Sequence, residues 1–178
     1  MAPSKYFRWL AAKLSAHESG QGAVEFALAV PIVLVVLFAL VDFGRVFDNM
    51  QVMIGLSRQG SNLASRGTTL LASAAAVIAG EGPLDLGKNG EVIITSVAVV
   101  NGKNTITGQV SQGGISRTSQ VGSGVGNNAT VPAASATLLL NGQTVYITEV
   151  FYTFRPITPI GQFVKMVMPS TLSVVAYF

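Results

Sequence analysis

The chain has 178 residues, 11 of them Lys or Arg and 8 Asp or Glu, with a formal charge of +3 and a mean hydropathy of +0.52. It has no cysteine and one histidine, His17, which excludes disulfides, thiolate zinc sites and cysteine nucleophiles and removes the usual general base. Lys5, Arg8 and Lys13 against Glu18 account for most of the net charge within the first 20 residues, so no basic patch with interleaved aromatics remains to contact nucleic acid.

The first element is Gly20-Gln21-Gly22-Ala23-Val24-Glu25-Phe26, followed by an apolar run to Val41. At about 1.5 Å per residue, Ala23 to Val41 spans roughly 28 Å as a helix, close to a hydrocarbon core of about 30 Å. The basic residues before it and Asp42 after it place the N-terminus in the cytoplasm and the remainder outside. The apolar stretch exceeds a secretory h-region, and Ala39-Leu40-Val41 offers no small-x-small cleavage site, although an uncleaved signal anchor stays open.

Glu25 admits two readings. It is a tolerated charge at the cytoplasmic interface, or it is a register device: cleavage after Gly20 makes Gln21 the first residue and puts a free amine one turn from the carboxylate, able to pair between neighbouring stems. Pro31 lies inside the apolar helix and predicts a kink or local unwinding, either to let the stem bend or as an ordinary transmembrane proline. Asp42 and Arg45, three apart, can face each other on the same helix.

Val46, Met50, Met53, Ile54, Leu56 and Leu63 continue at helical spacing, so the stem extends to about Arg66, with Gly44, Gly55 and Gly60 weakening it. Leu70 to Ala79 reads as a short second helix, closed by Gly80-Glu81-Gly82-Pro83. From Glu91 the texture becomes β-branched: Val92 to Val100 is a strand, Asn101-Gly102 a hairpin turn, and Thr105 to Val110 its partner. Ser111 to Ala136, rich in Gly, Ser, Asn and Thr, reads as a long, exposed, flexible loop. Thr144 to Arg155 is a strand apolar on both faces, and Ser170 to Phe178 alternates as a final strand. The expected fold is α+β, a long N-terminal helix on a small antiparallel sheet. Its divisions are residues 1–20 as a leader, 21–66 as a hydrophobic stem spanning the membrane over about 23–41, and 67–178 as an extracytoplasmic domain.

No catalytic or metal site emerges. The run from Asp85 to Ser96 lacks calcium ligands at its third and twelfth positions, and no glycine cluster follows a strand and opens a helix as a phosphate loop does. Glu81, Asp85, Glu91 and Glu149 show no paired spacing, so neither a cofactor nor an enzyme activity is expected.

Gly20, Glu25-Phe26, Pro31 and Asp42-Phe43-Gly44-Arg45 together resemble the type IV prepilin signature, and more closely the TadE-like pseudopilins of tight-adherence (Tad, type IVc) pilus systems. Ala64-Ser65-Arg66 and the region from Tyr152 through Pro156-Ile157-Thr158-Pro159 are similar to further motifs of those proteins. The resemblance implies a minor pilin in assembly of an adhesive, biofilm-forming pilus, cut between Gly20 and Gln21 by a prepilin peptidase. It implies register-setting by Glu25 and Phe26, and a pilin-like fold. The implied partners are other minor pilins, the major Flp-type pilin, the inner-membrane assembly platform and membrane lipid. Its implied place is the bacterial cytoplasmic membrane, single-pass, with incorporation into an extracellular pilus. A secretion-system pseudopilin and an uncleaved anchored binding module are the alternatives.

Overall fold

The computed structural model describes residues 5–131, 142–161, 166 and 169–178, with side chains from residue 20 onward. Helix α1 (Lys5–Ser65) is 61 residues long. Its last 46 residues, Gly20–Ser65, extend about 70 Å at 1.5 Å per residue. It is followed by α2 (Leu70–Ala79), the single turn α3 (Leu86–Asn89), and strands β1 (Gly90–Val100), β2 (Lys103–Gly113), β3 (Thr144–Thr153) and β4 (Thr171–Tyr177). The strands form one antiparallel sheet in the order β2-β1-β3-β4. The fold is α+β, a long apolar helix on a small antiparallel sheet.

Helix α1 has two physically different halves. Up to Val41 its large apolar side chains are exposed around the whole circumference, as with Val24, Phe26, Leu28, Ile32 and Val33; a helix apolar on every side is one built for lipid or for a bundle. From Asp42 onward one face is buried, through Asp42, Val46, Asn49, Met53, Leu56, Ser57, Gly60, Ser61 and Ala64, at spacings of three and four. Of the residues expected in this stripe, Val46, Met53 and Leu56 are in the core and Met50 packs beside it, whereas Ile54 faces outward.

The distal part of the stripe is made of small residues because the helix lies almost on the sheet there. Ser61 Oγ is hydrogen-bonded to Thr148 Oγ1 (2.9 Å) and to the Ala176 carbonyl (3.1 Å). A Cβ on Gly60 would sit 2.8 Å from the Thr148 side chain and 3.0 Å from Val77. Gly60 is therefore a packing requirement and not the weak point expected of it, while Gly44 and Gly55 have open space around them.

Helix α2 starts where Thr69 Oγ1 accepts from the Ala72 N–H (3.2 Å), an N-cap. At the β1–β2 turn Asn101 and Gly102 have φ of 52° and 75°. Positive φ at both central residues is the hairpin geometry that Asn-Gly favours.

The sheet is buried on both faces. Val92, Ile94, Val150 and Leu172 pack under α1 and α2, and the opposite face holds Val97 and Ile147. That opposite face is covered by residues 115–131, an irregular and mostly exposed segment as a loop was expected to be, but one that packs on the sheet and starts later than Ser111. Residues 111–113 belong to β2, and Ser119 and Val121 are buried. The segment is thin in apolar residues, but it ties its backbone to the edge of β2: Ile106 N donates to the Asn127 carbonyl (2.9 Å), Gly126 N to the Ile106 carbonyl (2.8 Å) and Ala129 N to the Asn104 carbonyl (2.8 Å). Residues 132–136 of the expected loop lie outside the described residues.

Candidate functional site

The stem and its junction with the head carry the residues singled out in the sequence. Gly20, Gln21, Glu25 and Phe26 all lie on the exposed part of α1, Phe26 at 71% exposure. Gln21 Nε2 donates to Glu25 Oε1 at 3.0 Å. This i, i+4 pair holds the carboxylate beside the residue whose amine a cut after Gly20 would free. The four-residue spacing of the motif allows this side-chain pairing as well as the one with the amine. Helix α1 runs unbroken through Pro31, so the local unwinding expected there is not seen. Proline still deprives the Ala27 carbonyl of its usual donor.

Asp42, Phe43, Gly44 and Arg45 mark the point where the stem enters the head. Asp42 is fully buried and both its oxygens are engaged: Oδ1 accepts from the Ile157 N–H (3.1 Å) and Oδ2 from the Thr158 hydroxyl. Arg45 Nη1 donates to the Arg155 carbonyl (3.3 Å), and its guanidinium sits 5.7 Å from the centre of the buried Phe154 ring, a cation–π distance. Asp42 and Arg45 therefore do not neutralise each other as their spacing allowed; each clamps the chain that leaves β3. Phe43 is half-buried and Gly44 exposed.

The stretch Phe154 to Thr158 was legible only as a Tyr-and-Pro motif, yet it is the other half of the clamp. The signal that could have joined the two is chemical. An aspartate just past a membrane-length run needs donors once buried, and Ile157-Thr158 in a proline-flanked segment offers a free N–H and a hydroxyl.

Two further carboxylates, missed as a pair by sequence spacing, lie on the covered face of the sheet. Glu91 is opposite Phe151 and Glu149 opposite Ile93 in the β1–β3 register, which makes them diagonal neighbours. Glu91 accepts from Ser111 Oγ and the Arg117 N–H; Glu149 accepts from Ser119 Oγ and, at 2.7 Å, the Gln120 N–H. Burial pushes the Glu149 carboxyl above its ordinary 4.5, opposed by the bonds from Ser119 and Gln120. The pair fastens the 115–131 cover to the sheet. Glu81 instead accepts from the Leu86 and Gly87 N–H groups (2.5 and 3.3 Å), and Asp85 pairs with Lys88 at 3.5 Å. Among the described residues no three His, Asp or Glu side chains gather as metal ligands.

The described stem is one helix long and apolar enough to cross a membrane, consistent with a membrane anchor. No curated protein and no solved structure matches the chain. Residues 20–62 match the family model described as TadE-like protein, so the segment that starts at Gly20, crosses the exposed stem and passes through the clamp into the head is TadE-like.

Proposed function

We propose that the protein is a minor pilin, or pseudopilin, of a Tad-type (type IVc) pilus that supports surface adhesion and biofilm formation. The TadE-like match ties it to Tad pilus systems, and the observation that carries the finer reading is the all-round exposure of the apolar stem beside a head whose own core is closed. A prepilin peptidase cuts between Gly20 and Gln21, removing the basic leader that holds the N-terminus inside. The mature stem leaves lipid for a bundle of stems from other minor pilins and the major Flp-type pilin, fed by an inner-membrane platform. Lipid tails are as apolar as the stem, so shape and pairing decide the register more than hydrophobicity does. Glu25 supplies the pairing: it meets the amine of a neighbouring Gln21, in place of the Gln21 side chain it holds in the single chain. Phe26 packs beside it, and the missing N–H at Pro31 lets the stem bend. The chemistry is assembly and not catalysis.

The test replaces Glu25 by alanine in the producing cell. The expected protein is inserted and cleaved at wild-type levels, is missing from sheared pili, and leaves the cells poorly piliated. Unchanged piliation and incorporation would refute the role given to Glu25.

A further inference from the structure

The chain that leaves β3 descends toward the membrane. Its Arg155 carbonyl is held by Arg45, and its Ile157 and Thr158 are held by Asp42, nearly one turn closer to the apolar span. If Ala23–Val41 fills the hydrocarbon core, Asp42 lies within about 2 Å of the core edge and Arg45 about 6 Å from it, at 1.5 Å per residue. The polar headgroup layer is about 5–8 Å deep on each side. Residues 155–158 therefore occupy that layer.

What this segment displays fits such a place. Arg155, Ile157 and Pro159 are exposed, Ile157 at 67%, while Phe154, Pro156, Thr158 and Ile160 turn inward or are half-buried. The outward row is thus a guanidinium followed by two apolar side chains. Pro156 and Pro159 have no N–H, and the Ile157 N–H is already bonded to Asp42, so few backbone donors need water as the segment dehydrates.

We propose that residues 155–159 form a second membrane contact of the head, with Ile157 inserted among the lipid headgroups and Arg155 at their phosphates. Together with the stem this contact fixes the tilt of the head on the bilayer before assembly. The inference rests on Ala23–Val41 being the membrane span.

The chain has no cysteine, so single substitutions give single labels. Full-length Ile157→Cys, Val125→Cys and Leu34→Cys proteins would carry an environment-sensitive nitrobenzoxadiazole dye in phosphatidylcholine–phosphatidylglycerol vesicles containing acyl-chain spin-labelled lipid. Val125 is exposed on the cover segment near Ile106, at the end of the sheet away from Asp42, and Leu34 is in the middle of the stem. The backbone N–H at 157 survives the substitution. Quenching at position 34 should be strongest, at 157 at least severalfold greater than at 125, and at 125 close to that in vesicles without spin label. Quenching at 34 with equal values at 157 and 125 would overturn the proposal and leave the membrane stem standing. Absence of quenching at 34 would overturn both.

Discussion

Replacing Asp42 by alanine should cost the head about 3 kcal/mol. The carboxylate is fully buried and accepts from the Ile157 N–H at 3.1 Å and from the Thr158 hydroxyl. Hydrogen bonds to a charged group contribute about 1.5–3 kcal/mol each. The lower figure applies here, because Ile157 is exposed and Thr158 half-buried, so water can recover part of what the donors lose. Against a domain stability of about 5–15 kcal/mol, that loss raises the unfolded fraction by about two powers of ten. Asp42→Asn keeps one acceptor oxygen and should cost about half as much, as should Thr158→Val, which removes one donor. Since the two side chains touch, the double variant should fall short of the sum by about 1 kcal/mol. Urea unfolding of the full chain in detergent, followed by far-ultraviolet circular dichroism, gives these values. Hydrogen exchange at the Ile157 amide should rise in Asp42→Ala and Asp42→Asn while the β1 amides of Asp42→Asn keep their protection. An Asp42→Ala protein within about 0.5 kcal/mol of the parent would show that the clamp does not hold stem to head.

Glycines on the same helix should respond with opposite signs. Gly60→Ala must push against Thr148 and Val77 at 2.8 and 3.0 Å, and overpacking of about 1–3 kcal/mol outweighs a helix-propensity gain of about 1. Gly55→Ala meets nothing within 4 Å and should stabilise by up to about 1 kcal/mol; equal urea midpoints would refute the close approach. Glu149 carries a pH prediction. Its folded carboxyl is raised above 4.5, chiefly by burial, so its stabilising contribution is full below 4.5 and declines as pH rises through the folded value. Relative to the parent, Glu149→Gln should therefore gain stability as pH rises above 4.5, and a pH-independent difference between the two would contradict the assignment.

The elements that the sequence made plain are those whose pattern is local. The apolar run before Asp42, the alanine-rich Leu70–Ala79 and the Asn101-Gly102 hairpin each state their structure within a few residues, and the structure has all three. What stayed hidden depends on pairing across the chain. Asp42 and Thr158 are 116 residues apart, and neither has a period that points to the other. Gly60 looked like a weak helical position because propensity says nothing about a threonine pressed against it from β3. The cover over the sheet is the mostly exposed loop its glycine, serine and asparagine suggest, but its docking on the sheet has no local signature. Its backbone bonds to the β2 edge, its Arg117 N–H to Glu91, and its Ser119 hydroxyl and Gln120 N–H to Glu149. A clue was available in β3: a glutamate within the strand Thr-Val-Tyr-Ile-Thr-Glu-Val-Phe-Tyr-Thr, apolar on both faces, requires donors from somewhere. For the stem, the residues of interest were legible because spacing from Gly20 is itself the motif.

The claim on which the rest depends is that this stem enters a pilus pathway through cleavage after Gly20. Intact-mass and N-terminal analysis of the protein from membranes, with and without its prepilin peptidase, tests it directly. The expected product is a mature form that begins at Gln21 and is 20 residues shorter than the 178-residue chain, produced only when the peptidase is active. Full-length protein alone, in the presence of active peptidase, would contradict it.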